Sequence, residues 1–353
     1  MDPDLLRRHR DDSFYVYDLK VLHGAYQEWT RAYPTIRPFY AVKCNPDRRI
    51  CQTLADLGTS FDCASPAEIE LIRGLGVQDD RIIFANPCKR PCDARRYGEL
   101  LTTFDSESEL RKMARGTRAL LRIRADDPMA RCNLGVKYGA DANEWDGLMR
   151  LCKTMGVSLV GVSFHVGSMA KSPLAFTEGI KKARQAVDLA VAYGFDPRII
   201  DIGGGFSDRL PESVNEALDK YFLDGYTIIA EPGRYFVEHV ATLMTPVIGV
   251  KGDGVTISES LYGSFNCVVF DHAQPEIGGF YGPRGEFLVG APKTRTIFGS
   301  TCDGADIIAR DITVIDLHVG DWITWPRMGA YTSAACTNFN GIPFSDRRVE
   351  YLV

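Results

Sequence analysis

Between residues 13 and 238 the hydrophobic positions come in short bursts, each followed by a polar stretch with helical spacing. The bursts at 39–42, 60–63, 82–85, 101–104, 119–123, 159–166, 199–202 and 227–230 are largely continuous in apolar character. Such runs are expected of parallel strands covered on both faces. The stretches between them, for example 66–74, 106–115 and 173–193, read as helices. Ser65-Pro66 reads as an N-cap followed by proline, and Ser106 with Glu109 as a capping box. Eight strand–helix alternations over about 220 residues predict a (β/α)8 TIM-type barrel.

Past residue 241 the rhythm changes. Segments 247–250, 255–258, 267–270, 312–317, 322–325 and 349–353 read as short strands parted by Gly, Pro and Asp turns. No long helical pattern intervenes, so a C-terminal all-β domain, a β-sandwich or β-barrel, is expected. Segment 14–17 is also strand-like and is assigned to it. The expected class is α/β plus β, with the barrel over 19–240 and the β domain over 241–353 plus 1–18. The Gly- and Pro-rich stretch 274–295 reads as a long loop.

Composition narrows the function classes. A chain of 353 residues suits two domains. The net charge of −5 is spread without a basic stripe, which argues against a nucleic-acid partner. No apolar run approaches the ~20 residues that span a bilayer. Residues 1–12 are charged and lack a signal-peptide core, so a cytoplasmic protein without membrane attachment is expected. Ten scattered cysteines show neither a CxxC pair nor zinc spacing; free thiols and no metal site are expected.

Several positions carry candidate chemistry. Lys43 ends the first barrel strand, in Tyr40-Ala-Val-Lys-Cys-Asn45. Carboxyl ends of barrel strands face the active-site mouth, and a desolvated lysine there suits Schiff-base chemistry. Taken alone, a surface lysine just past a strand is the commoner reading. Glu231-Pro-Gly-Arg234 follows the last barrel strand, where TIM barrels often bind phosphate. Arg234 suits bidentate phosphate binding, Gly233 a close backbone approach, and Glu231 a partnership with a ring nitrogen. A structural Glu–Arg pair at a turn is an equal reading of that motif alone. Asp201-Ile-Gly-Gly-Gly205 offers bare backbone N–H groups to a phosphate, although glycine turns are common. His165 reads as a flat ring for stacking or as a structural histidine, with Ser168 offering a hydroxyl nearby in sequence. Cys302-Asp303 offers a thiol and a carboxylate in a β-domain turn, where a buried inert cysteine is the usual alternative. Tyr331 offers a phenol to a phosphate or merely packs.

Together with Phe61-Asp-Cys-Ala-Ser65, Arg81-Ile-Ile-Phe-Ala-Asn-Pro87 and Thr301-Cys-Asp-Gly304, these motifs resemble the ornithine/lysine/arginine decarboxylase family, pyridoxal-phosphate (PLP) enzymes of the alanine-racemase fold class. The resemblance runs over nearly the whole chain. It implies PLP as cofactor, with Lys43 as the Schiff-base lysine and Asp62 and Glu68 as the acids around it. It implies Arg122 and His165 flanking the cofactor, and Ser168, Gly204, Gly205, Gly233, Arg234 and Tyr331 cradling its phosphate. Glu231 is implied as the ring-nitrogen partner, and Phe270, Asp271, Asp303 and Phe339 as the substrate side. The resemblance further implies a homodimer with shared sites, Cys302 and Asp303 entering from the other subunit and Lys137 pairing with Asp306 across the interface. The implied reaction is decarboxylation of a small basic amino acid, ornithine to putrescine in polyamine synthesis, with Cys302 returning a proton to the α carbon. Two short acids, Asp271 and Asp303, favour ornithine over lysine or arginine. The other class is a non-catalytic regulator resembling the antizyme inhibitors.

Overall fold

The computed structural model describes residues 2–352 except Asp126, Pro128, Asn133, Lys171 and Pro173. The chain divides into two compact units: His23–Tyr235, and Met1–Leu22 with Phe236–Val353. The first strand, β1 (Phe14–Asp18), belongs to the second of these. Eight strands then build the other: β2 (Ile36–Ala41), β3 (Ser60–Cys63), β4 (Ile82–Phe84), β5 (Leu101–Phe104), β6 (Arg118–Arg122), β7 (Ser158–Ser163), β8 (Ile199–Asp201) and β9 (Thr227–Ala230). They pair in parallel and in order, and β9 returns to β2, closing the expected barrel.

The barrel interior explains the unbroken apolar runs. Phe39, Ile83, Leu120 and Ile229 pack as one layer across it. Outside, the helix Ala175–Ala192 buries Phe176, Ile180, Ala183 and Val187, positions spaced by three and four that lie on one face. That helix was expected from residue 173, which lies outside the described residues. Ser65 caps the helix Pro66–Arg73 by accepting from Glu68 N at 3.3 Å, with Pro66 in its first turn. Ser106 caps in the same way, but its helix is only Glu107–Leu110, shorter than expected. The Glu109 carboxylate accepts from Lys89 N at 3.0 Å and pairs with the Lys89 ammonium, so only the serine half of that capping box forms.

The second unit is a mainly antiparallel sheet of β1 with β10 (Ala241–Lys251), β11 (Gly254–Ile257), β12 (Gly279–Tyr281), β13 (Lys293–Phe298), β14 (Ile307–Val314), β15 (Trp322–Trp325) and β16 (Arg348–Leu352). β1 pairs with β10 and β16, as its sequence suggested. Three details differ from the sequence reading. Residues 267–270, expected as a strand, lie in the helix Asn266–Phe270. The expected loop 274–295 contains β12 and the start of β13. The strand expected at 312–317 starts at Ile307 and ends at Val314. The last expected strand position, residue 353, lies outside the described residues.

Candidate active site

In the barrel unit, five expected residues gather at the carboxyl ends of the strands. Lys43 lies in the short turn after β2 and pairs with Asp62 of β3 through Nζ and Oδ2. Asp62 is fully buried, and its Oδ1 has no hydrogen-bond partner among the described residues. Glu231 follows β9, and its backbone N–H donates to Gly203 O at 2.7 Å, joining the two loops. His165 follows β7, and its Nδ1 accepts from Gly167 N at 3.0 Å. The neutral ring therefore carries its proton on Nε2. Burial first, with the Arg122 and Lys43 charges adding, holds this imidazole well below its usual range. Arg122 ends β6, with its guanidinium 5.0 Å from the centre of the Tyr138 ring.

The glycines permit this assembly by what they lack. A Cβ on Gly204 would sit 2.8 Å from both His165 Nε2 and Glu231 O. One on Gly233 would sit 3.0 Å from Cys44 Cβ, just after Lys43. Gly205 has φ +111°, a conformation L side chains rarely adopt, and accepts from Ala170 N at 3.3 Å. That bond ties the glycine turn to the loop bearing Ser168, whose hydroxyl lies 3.5 Å from the Arg234 guanidinium. The Gly turn, Ser168 and Arg234 thus form one connected cradle.

Glu68 lies one step away. Its carboxylate accepts from Ala64 N at 2.7 Å, and burial pushes its pKa up. Asp201 was quoted within a motif but given no role. It accepts from Gly203 N at 2.9 Å and shares a side-chain hydrogen bond with Glu231. Burial pushes both carboxyls up, and their mutual repulsion adds to the rise at Glu231. The pair therefore holds a proton where two exposed acids would have lost theirs. The signal in the sequence was an acid ending an apolar strand, a position whose burial only the closed barrel reveals.

In the second unit the remaining residues form two groups. Cys302 is exposed in a turn, and its N–H donates to Asn340 Oδ1 at 3.0 Å. Asp303 accepts from the Tyr262 hydroxyl at 2.5 Å and from Ala305 N at 2.9 Å, and the Tyr262 bond leads in lowering its pKa. Phe339 stacks on Tyr262 with centroids 4.2 Å apart. Tyr262 and Asn340 were not anticipated. Phe270, 71% exposed, and buried Asp271 end the helix Asn266–Phe270. Asn266 donates to Thr332 O at 2.6 Å, which ties that helix to the turn where Tyr331 adopts φ +56°.

Of the Lys137–Asp306 pair expected between subunits, the single chain describes the surroundings of Asp306. Asp306 is buried and accepts from Ser260 Oγ, Leu261 N, and both the N–H and hydroxyl of Thr301, at 2.6–3.1 Å. These four local donors make Asp306 a support of the turn leading into Cys302.

Comparison with known proteins adds an independent line. A family model described as "Pyridoxal-dependent decarboxylase, pyridoxal binding domain" matches residues 19–238. The chain is 40% identical to the ornithine decarboxylase of Mus musculus over 371 aligned positions, covering 94% of this chain and 78% of that protein. It is 39% identical to antizyme inhibitor 2 of Xenopus laevis, covering 96% of this chain and 81% of that one. Among solved structures, the Paramecium bursaria Chlorella virus arginine decarboxylase superposes with a TM-score of 0.92 at 36% identity, covering 99% of this chain and 98% of that chain.

Proposed function

The chain belongs to the pyridoxal-dependent decarboxylases, and from that premise we propose that it removes the α-carboxylate of L-ornithine, as a homodimer with shared sites. The observation that carries this reading is the pair of half-exposed Lys43 with buried Asp62, facing Glu231 and neutral His165, beside the cradle of the Gly turn, Ser168 and Arg234.

The residues suit PLP on physical grounds. Asp62 Oδ1 is a buried acceptor without a partner among the described residues, and Gly204 keeps its face clear where any side chain would strike His165. When bound, PLP supplies a ring that takes up the electron pair left by the departing carboxylate. Lys43 would hold the cofactor through its aldehyde carbon, and Asp62, paired with Nζ, would position that nitrogen. Glu231 holds or gives a proton at the ring nitrogen, and its raised pKa equips it to retain one. His165, kept neutral, adds no positive charge where the electron pair must be accepted. Ser168, Arg234, Tyr331 and the backbone of Gly204, Gly205 and Gly233 hold the phosphate, and Arg122 and Glu68 flank the ring.

On the substrate side, Asp271 and the partner's copy of the Cys302-Asp303 turn bracket the amino-acid tail, and the Cys302 thiol gives a proton to the α carbon. Phe270 and Phe339 wall the tail. Two carboxylates favour a cationic tail and disfavour a neutral or acidic one. One methylene changes discrimination by only ~1–3 kcal/mol, so lysine is a slower substrate, and arginine is the alternative for which Phe270 and the 274–295 segment would have to supply room. The deciding assay is kcat/KM for ornithine, lysine and arginine on the PLP-loaded protein, and a higher value for either competitor moves the assignment to it. The similarity to antizyme inhibitor 2 motivates a second reading, a non-catalytic regulator, which requires no turnover of any of the three.

A further inference from the structure

We propose that the amino-terminal end of the barrel is a second binding site, for a small oxyanion, at the opposite end from Lys43. TIM-type barrels are normally filled by stacked layers of side chains. Here one layer is apolar: Phe39, Ile83, Leu120 and Ile229. Two residues before Phe39 and Leu120 on β2 and β6, and so on the same inward face, stand Arg37 and Arg118. These are the first and fifth of eight barrel strands, so the two guanidinium groups approach from opposite walls. Arg81 joins them from the turn that enters β4. The three do not plug the barrel. They line a cavity of about 380 Å³ whose apolar wall includes Phe39 and Ile229.

The charge balance in that cavity favours an anion. Three acids also line it: Asp79, Asp80 and Glu99. Arg73 holds Asp79 through two bonds of 2.8 and 2.9 Å and Glu99 through one of 2.9 Å, and these bonds raise the Arg73 pKa. Asp80 alone of the three lacks such a partner among the described residues. Arg81 is fixed by donating to Ala55 O at 2.9 Å and Thr59 O at 2.6 Å, bonds to neutral carbonyls that leave its charge unmatched. Arg37 and Arg118 make no hydrogen bond or ion pair among the described residues. With Arg73 included, four arginines face three acids, which leaves one positive charge above an apolar floor. A compact ligand bearing an oxyanion matches the charge, a short apolar spine matches the floor, and the volume lies at the small end of the ~300–1,000 Å³ usual for ligand pockets.

The test uses the PLP-loaded full chain and isothermal titration at low salt. The probes are succinate, glutarate, adipate and pyrophosphate, each titrated into the parent and into Arg37→Ala and Arg118→Ala. Both arginines are exposed, so the variants keep their fold and basal turnover. Saturable binding of at least one probe, weakened about tenfold or more in each variant, is expected. Preference for a dicarboxylate or for pyrophosphate then assigns the oxyanion to a carboxylate or a phosphoryl source. No saturable binding up to millimolar probe, or binding that either variant leaves within twofold of the parent, overturns the proposal.

Discussion

Gly204→Ala is the sharpest steric probe of the cofactor cradle. The added Cβ would sit 2.8 Å from both His165 Nε2 and Glu231 O, about 0.6 Å inside the 3.4 Å at which ordinary contact begins. Neither neighbour yields easily. The imidazole is pinned by the Gly167 N–H at 3.0 Å, and the carbonyl belongs to a loop tied to Gly203. Overpacking of this kind costs about 1–3 kcal/mol. If the strain falls on the cofactor-bound state, the PLP dissociation constant rises roughly 5- to 150-fold. Fluorescence titration of the cofactor-free protein with PLP reads this directly. Gly147→Ala is the control: that glycine is inside the helix Trp145–Met155 with nothing within 4 Å, so alanine there is neutral or stabilising. A folded Gly204→Ala protein that bound PLP within twofold of the parent would refute the assignment of this turn to the cofactor.

Two further outcomes follow from the site. The Asp201–Glu231 carboxyls have folded pKa values raised above their unfolded ones, near 4, so the folded state holds protons that the unfolded chain sheds. Stability of the cofactor-free protein should therefore fall as pH rises from about 4 through the raised values, by about 1.4 kcal/mol for each unit of separation. Asp201→Asn removes one of the two groups, so its urea midpoint should fall less steeply than the parent's between about pH 5 and 7; an equal or steeper slope contradicts the shared-proton reading. Mixing inactive Lys43→Ala with inactive Cys302→Ala should restore about a quarter of full activity under random subunit exchange. No recovery despite proven exchange sinks the shared-site dimer.

Much of the fold was legible because the barrel strands are buried on both faces and their apolar runs are unmistakable. The 267–270 segment was not, since a four-residue apolar run fits a strand or a buried helical turn equally well, and only its packing decides. The cofactor-side residues were legible as motifs at strand ends, but their electrostatics were not. The neutral His165 and the proton-retaining Asp201–Glu231 pair arise from burial and from neighbours distant in sequence. Tyr262 escaped notice because nothing in a lone tyrosine reveals that its hydroxyl will meet Asp303, 41 residues away. The local role of Asp306 was equally hidden: beside the inter-subunit pair that the resemblance implies, it accepts from its own turn and from residues 260–261.

The central claim is that Lys43 carries the cofactor of a decarboxylase acting on a basic amino acid. Borohydride reduction of the PLP-loaded protein, followed by peptide mapping, tests it most directly. The account predicts one pyridoxyl label per chain, on Lys43, with loss of ornithine turnover in step with labelling. A label on any other lysine, or full labelling of Lys43 with turnover intact, would contradict it.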